Sequence, residues 1–199
     1  VRTTFTNVFL EDNFNINCHS SIKISGSIGY HINHIASKFG LESNRIFYPD
    51  MKAQQHRVLK SVSAVYLHQI QNFTISTGLG YGERAPSVSE AYGFYLFNSF
   101  DLFDYVGNPD LKNEKSAEIQ ASLQYKTPKT NIKYSANYFH ISDYILGVPT
   151  AFSPMTIGAS GVKQYVGVDY ATIFTQSLQI SKQLSPHFNW QTLLKYSVG

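Results

Sequence analysis

The chain has 199 residues, with 16 Lys and Arg against 13 Asp and Glu for a formal charge of +3, and only 15% charged residues. No basic cluster is present to neutralise phosphates, which excludes nucleic acid as a partner. Fourteen Tyr, fourteen Phe and one Trp make 15% aromatic residues within 43% hydrophobic ones, which excludes a disordered chain.

In chain order, strands are expected near residues 2–10, 20–32, 57–69, 73–83, 115–125, 131–144, 166–182 and 187–198. The second has Ile22, Ile24, Gly26, Ile28, Tyr30 and Ile32 opposing Lys23, Ser25, Ser27, Gly29 and His31. Gly78-Leu79-Gly80-Tyr81-Gly82 in the fourth strips one face of side chains, which suits either local curvature or a close approach from inside. Between strands four and five, Ser87-Val88-Ser89-Glu90 has capping-box spacing after Pro86 and marks a single helical turn inside a loop. In the fifth strand the alternation is unbroken. Ala117, Ile119, Ala121, Leu123 and Tyr125 lie on one face, with Ser116, Glu118, Gln120, Ser122 and Gln124 on the other. The last sets Phe188, Trp190, Leu194, Tyr196 and Val198 against Asn189, Gln191, Lys195 and Ser197. Helical periodicity appears nowhere over a long window.

The connections alternate between short (11–19, 70–72, 126–130, 183–186) and long (33–56, 84–114, 145–165) without exception. A membrane β-barrel keeps tight turns at one end and long loops at the other, and its antiparallel strands take them in turn. Period two alone does not say whether the apolar face lies inside a soluble barrel or outside a membrane one. The loop alternation and strands of about 9–11 residues favour the membrane. So do aromatics towards strand ends, at Tyr30, Tyr66, Tyr81, Tyr125, Tyr134, Tyr138, Phe139 and Tyr196. No apolar run approaches the roughly 20 residues of a membrane helix. No charged-then-apolar leader opens these residues, so any targeting peptide is expected outside them.

Residues 80–93, Gly80-Tyr81-Gly82-Glu83-Arg84-Ala85-Pro86-Ser87-Val88-Ser89-Glu90-Ala91-Tyr92-Gly93, are followed by Tyr95-Leu96-Phe97-Asn98. Gly107-Asn108-Pro109-Asp110-Leu111-Lys112-Asn113-Glu114-Lys115-Ser116 comes next. This order resembles TonB-dependent outer-membrane receptors, especially those of Bacteroidota. In that family a strand ends in an R-x-P-x-x-x-E-like element, and a G-N-P-x-L-x-x-E-x-S element opens the next strand after a long extracellular loop. Asp169-Tyr170-Ala171, placed before the seventh strand, also resembles the family, but Thr175 and Ser177 replace its usual small and acidic residues. The resemblance covers most of residues 38–199. It implies an all-β fold, an antiparallel transmembrane β-barrel segment of about eight strands within a 22-strand type barrel. Residues 1–199 would be one barrel segment, with the plug domain absent. The implied partners are outer-membrane lipid, the receptor's own plug and remaining strands, a TonB-type energy-coupling protein acting through the plug, and a small-molecule or metal-chelate substrate. The rival readings are a passive porin, a structural or scaffold barrel in an envelope complex, and a soluble β-sandwich binding module.

Candidate residues follow from the matched blocks: Arg84, Glu90, Asn108, Asp110, Glu114 and Glu118 at the lumen or loop base. The preferred reading pairs Arg84 with Glu90 or Glu118 to hold the loop, ahead of direct substrate contact. The 84–114 loop is rich in aromatics, among them Tyr92, Tyr95, Phe97, Phe103 and Tyr105. It is expected to pack over the barrel mouth and form a vestibule, because so apolar a loop needs covering. No metal site is expected. His31 and His34, three apart in a strand, do not share a face, and Met51, Met155 and Cys18 are far apart. Asp101, Asp104 and Asp110 lack calcium-loop spacing, and a single cysteine excludes an internal disulfide. No catalytic motif and no cofactor motif is present, so the chain is not read as an enzyme.

Overall fold

The computed structural model describes all 199 residues. Eight long strands run as an antiparallel meander: β1 (Arg2–Asn17), β2 (Ser20–His34), β3 (Gln54–Ile70), β4 (Phe73–Arg84), β7 (Glu114–Lys126), β8 (Thr130–Thr150), β9 (Gly161–Ser185) and β10 (Phe188–Val198). Two short strands, β5 (Leu96–Asn98) and β6 (Phe103–Val106), lie inside the long connection between β4 and β7. Each wall strand pairs with its neighbour in sequence, so the order is that of an up-and-down sheet.

All eight expected strands exist, but several bounds move. β1 continues to Asn17, and β8 and β9 run on to Thr150 and back from Gly161. The third long connection therefore shrinks from 145–165 to 151–160, and Asp169-Tyr170-Ala171 lies within β9 rather than before it. Short and long connections still alternate. The helical turn at Ser87 is α2 (Val88–Tyr92), with both halves of its capping box in place. A second helix, α1 (Lys38–Arg45), occupies the first long loop, where no helix is expected from the sequence.

The register fixes the faces. Leu79 stands opposite Ile119, Ile119 opposite Tyr138, and Tyr138 opposite Phe174, one row of a continuous apolar face. The adjacent row on the other face runs Ser25, Ser63, Gly80, Glu118. The apolar face is the open one: Leu79 is 62% exposed, Ile119 58% and Leu194 60%. That is the reverse of a soluble barrel, whose apolar side chains fill the interior. Of the aromatics expected at strand ends, Phe139 alone falls on the polar face, opposite Glu118. The glycine stripe of β4 is explained at Gly78, where a Cβ would meet Nε2 of Gln120 at 2.7 Å. Gln120 from β7 lies across it.

The buried apolar residues are Ile35, Met51, Ala91, Tyr92, Val106, Leu111, Ile145 and Val162. None sits mid-wall; all gather at the end that carries the long loops. The hydrophobic effect thus consolidates a loop cap, while the wall rests on its hydrogen-bonded ladders.

Candidate functional site

The site grows from the last residue of β4. Arg84 leaves the sheet just before Pro86, and Ser87 caps α2, its Oγ accepting from the Glu90 amide at 3.2 Å. Glu90 Oε2 accepts in return from the Ser87 amide at 2.7 Å, so two free amides of the helix start are satisfied. Arg84 then reaches across the loop base. Its Nη1 donates to Glu90 Oε2 at 2.8 Å, its Nη2 to Glu90 Oε1 at 3.2 Å, and its Nε to Glu114 Oε2 at 2.6 Å. The other oxygen of Glu114 accepts from the Ile145 amide at 2.7 Å. One guanidinium fork thereby joins β4, α2, β7 and β8 through charge-assisted bonds. Burial acts to raise the Glu90 carboxyl, but the Arg84 guanidinium and the Ser87 amide outweigh it and hold the group below its ordinary value.

The second block folds back onto this base. Asn108 donates its amide to the Glu90 carbonyl at 2.8 Å and, through Oδ1, accepts from the Asp110 amide at 2.9 Å, a tight turn. Gly107 is required by close approach: a Cβ there would meet the Gly93 nitrogen at 2.5 Å. Tyr92 is buried and donates to Gln55 on β3 at 2.8 Å, tying the second loop to the wall beside Ile35 and Met51.

Three loops meet above. The Phe47 ring from the first long loop lies 5.9 Å from Phe94, 6.0 Å from Tyr95 and 5.0 Å from Phe152 of the third. Tyr48 accepts a 2.6 Å hydrogen bond from Gln164 on β9. The β5–β6 hairpin is fastened separately. β6 pairs in parallel with the start of β9, Phe103 opposite Gly161. Asp101 accepts from Lys163 Nζ and from the Tyr105 hydroxyl, both at 2.7 Å, while the ammonium lies 4.4 Å from the Phe103 ring centre. The Lys163 hydrogen bond, with that of Tyr105, holds Asp101 below its ordinary range. Asp104 is fully buried, and its Oδ2 accepts from the amides of Met155 and Thr156 at 2.8 and 2.9 Å.

Arg84, Glu90 and Glu114 thus come together. Glu118 does not join them: it lies on the polar face of β7 opposite Gly80, so the second carboxylate on Arg84 is Glu114. Asn108 and Asp110 shape the turn. The aromatics divide rather than forming one surface. Tyr92 lies in the cap core, Tyr95 in the Phe47 cluster, Phe103 and Tyr105 around Lys163, and Phe97 stays 42% exposed. Met51 is buried in the cap, Met155 is 65% exposed, and Cys18 sits in the β1–β2 turn, so no soft-metal set is assembled. No group of three or more His, Cys, Asp or Glu side chains converges as a metal site. Sequence reasoning missed Lys163, Met155 and Thr156. Their partners stand more than 50 residues away, and two of the three contribute backbone amides, which leave no trace in residue type.

A meander with an open apolar face, a polar opposite face and every long loop at one end is an arc of an up-and-down β-barrel wall with its mouth attached. The chain belongs to the TonB dependent receptor-like, beta-barrel family, whose model matches residues 1–193. A comparison with curated proteins finds no match. Among solved structures, 98% of the chain superposes on 28% of the copper transporter OprC, with a TM-score of 0.73 at 20% identity. It also matches 34% of a double mutant of the Serratia marcescens hemophore receptor HasR, in complex with its hemophore HasA and heme (99% of this chain, TM-score 0.70, 10% identity). A third match is 43% of the siderophore receptor PirA from Pseudomonas aeruginosa (98% of this chain, TM-score 0.62, 12% identity). The chain spans less than half the length of each of these structures.

Proposed function

We propose that these residues form part of the wall and mouth of an outer-membrane TonB-dependent receptor that takes up a scarce nutrient, a metal chelate or another bulky substrate. The observation that carries this reading is the wall itself. Along β2, β3, β4, β7 and β8 its apolar face is open while its polar face is the less exposed one, as lipid outside and a wet lumen inside require. The six inner wall strands are hydrogen-bonded on both sides, which suits lipid, where unpaired backbone groups are not tolerated, and the outer edges of β1 and β10 are where the remaining wall would pair. The substrate class is supported by the solved structures of similar fold, named for copper, a siderophore and heme. In this reading a plug and a TonB-type protein, outside these residues, supply the gating. The 84–114 loop forms the vestibule, and the Arg84–Glu90–Glu114 junction holds that loop to the wall rather than touching substrate.

Removing residues 94–105 from the full receptor tests this. The cut takes out the β5–β6 hairpin but spares α2 and the arginine junction. Uptake of iron–siderophore, heme and copper is then measured in metal-starved cells. The wild-type receptor is expected to support one of them, and the deletion to abolish it while leaving assembly in the outer membrane intact. Unchanged uptake after the deletion would contradict a vestibule role.

A further inference from the structure

The polar face carries a second arginine near the loop end, in surroundings unlike those of Arg84. Arg57 on β3 stands opposite His31 on β2, and His31 opposite Phe5 on β1, so the three form one row of that face. Arg57 is half-buried and donates to Asn113 Oδ1 at 3.3 Å, to Gln55 Oε1 at 3.4 Å and to the Pro109 carbonyl at 3.3 Å. All three acceptors are neutral and all three contacts are long. Arg84, by contrast, meets two carboxylates at 2.6 and 2.8 Å. None of the ion pairs within 4.0 Å in the molecule includes Arg57. A charge withdrawn from water without a counter-charge is costly, and folded proteins ordinarily pair it.

His31 supplies an independent sign. Its Nδ1 is buried and has no hydrogen-bond partner, one of only two such side-chain atoms in the molecule. The Phe5 ring lies 6.3 Å from the imidazole. The other orphan, Asp104 Oδ1, belongs to the hairpin fastening on a different element. A guanidinium without a carboxylate partner thus stands opposite an imidazole whose Nδ1 is orphaned, and that Nδ1 is a donor in the tautomer or charge state that protonates it.

We propose that Arg57 and His31 form an anion subsite that takes a carboxylate or phosphate group. Of the five N–H donors of Arg57, one on Nη1 and two on Nη2 serve the neutral acceptors, which leaves Nε–H and one Nη1–H, on different edges of the guanidinium, each able to donate singly to an oxyanion. Gln55 and Asn113 hold the fork in place. Asn113 is itself anchored through Nδ2 to the Val58 carbonyl at 3.0 Å. Such an anion comes either from a solute that enters at the loop end or from a carboxylate elsewhere in the same polypeptide, folded against the polar face. The chemistry required of Arg57 is the same. The subsite does not rest on the transport reading, because it is defined by occupancy and not by uptake.

The test is a crystal structure of the full-length receptor, native and after soaking in sodium tungstate, with anomalous data at the tungsten edge. A tungsten peak at Arg57 that disappears in Arg57→Gln and persists in Arg57→Lys is the result expected for a free anion. A carboxylate of the receptor's own chain seated on Arg57, with no tungsten peak, supports the subsite and assigns the intramolecular source. A wild-type structure in which Arg57 keeps only its three neutral acceptors, with neither tungstate nor carboxylate beside it, overturns the proposal. So does a tungsten peak that is unchanged in Arg57→Gln. The wild-type crystals decide the matter even if Arg57→Gln fails to assemble, and heat-modifiability on a gel reports that assembly.

Discussion

Arg84 is about half exposed, so its own transfer from water costs little, whereas Glu90 and Glu114 keep only 16% and 10% of their side-chain surface. Removing the arginine therefore harms by what it leaves behind, two largely buried carboxylates without a cation. Arg84→Ala is expected to cost about 1–3 kcal/mol of local stability, the range for a buried hydrogen-bonding group left unsatisfied. Hydrogen exchange at the Ser87 and Ile145 amides, the two backbone donors on these carboxylates, should quicken accordingly. Glu118→Gln should leave both rates unchanged, since Glu118 makes no ion pair. The same junction sets a pH response. Glu90 is held below its ordinary value when folded, so its contribution is complete above roughly pH 4.3, the unperturbed glutamate value. It is lost as pH falls through the lowered folded value. Protection of the α2 amides is expected to stay constant from neutral pH down to that point and to fall below it. Loss of protection near pH 6 instead would mean that another group controls the loop.

At the scale of single elements, β7 shows the clearest division of faces. Its apolar residues run from Ala117 to Tyr125, and the Phe73–Tyr125 pair marks one rim of the band. Ala121 lies at the middle of that band, and Leu123 is one apolar position from the rim. Ala121→Arg is therefore expected to cost about 2–4 kcal/mol in folding titrations of the full receptor in lipid, and Leu123→Arg less. Gln124→Arg, on the polar face, should cost least. Equal costs at all three positions would remove the face assignment. Elements such as β7 and β2 are legible in the sequence because their side chains divide strictly between one apolar and one polar face, which imposes period two. Legibility fails where that division ends. The extensions of β8 to Thr150 and of β9 back to Gly161 stand among the loops, where each side chain answers to its own neighbours and the alternation dissolves. α1 was hidden for a related reason. It is eight residues long, contains Gly40, and buries Ser43 and Asn44 instead of an apolar stripe. Asn44 spends its amide on the Gly40 and Tyr92 carbonyls, a role no periodicity announces. The arginine junction was half legible: the matched sequence blocks contain its three members. The choice of Glu114 over Glu118 depends on how β7 enters the sheet, which only the register reveals.

On the scale of the whole molecule, the sheet is open: β1 pairs only with β2, and β10 only with β9. Two such unpaired edges invite association. Residues 1–199 expressed alone are expected to aggregate or to associate in detergent, without giving a compact monomer that shifts on a gel when heated. A heat-modifiable monomer would show that these eight wall strands close on themselves. The division of labour across the molecule is equally plain. Hydrogen-bonded ladders hold the wall, and a small apolar core with charge-assisted bonds holds the cap. Loop-cap variants should therefore alter loop order and leave barrel assembly alone. The central claim, that the apolar face meets lipid and the polar face the lumen, is tested most directly by spin labels on β7 in the full receptor. Cys18→Ser is introduced first, and single cysteines at 116–125 are then labelled and reconstituted in bilayers. Collision rates with oxygen, which concentrates in lipid, are compared with those of a water-soluble nickel chelate. Positions 117, 119, 121, 123 and 125 should show high oxygen access and low nickel access, with 116, 118, 120, 122 and 124 in the opposite phase. A reversed phase, or no alternation at all, would contradict the account.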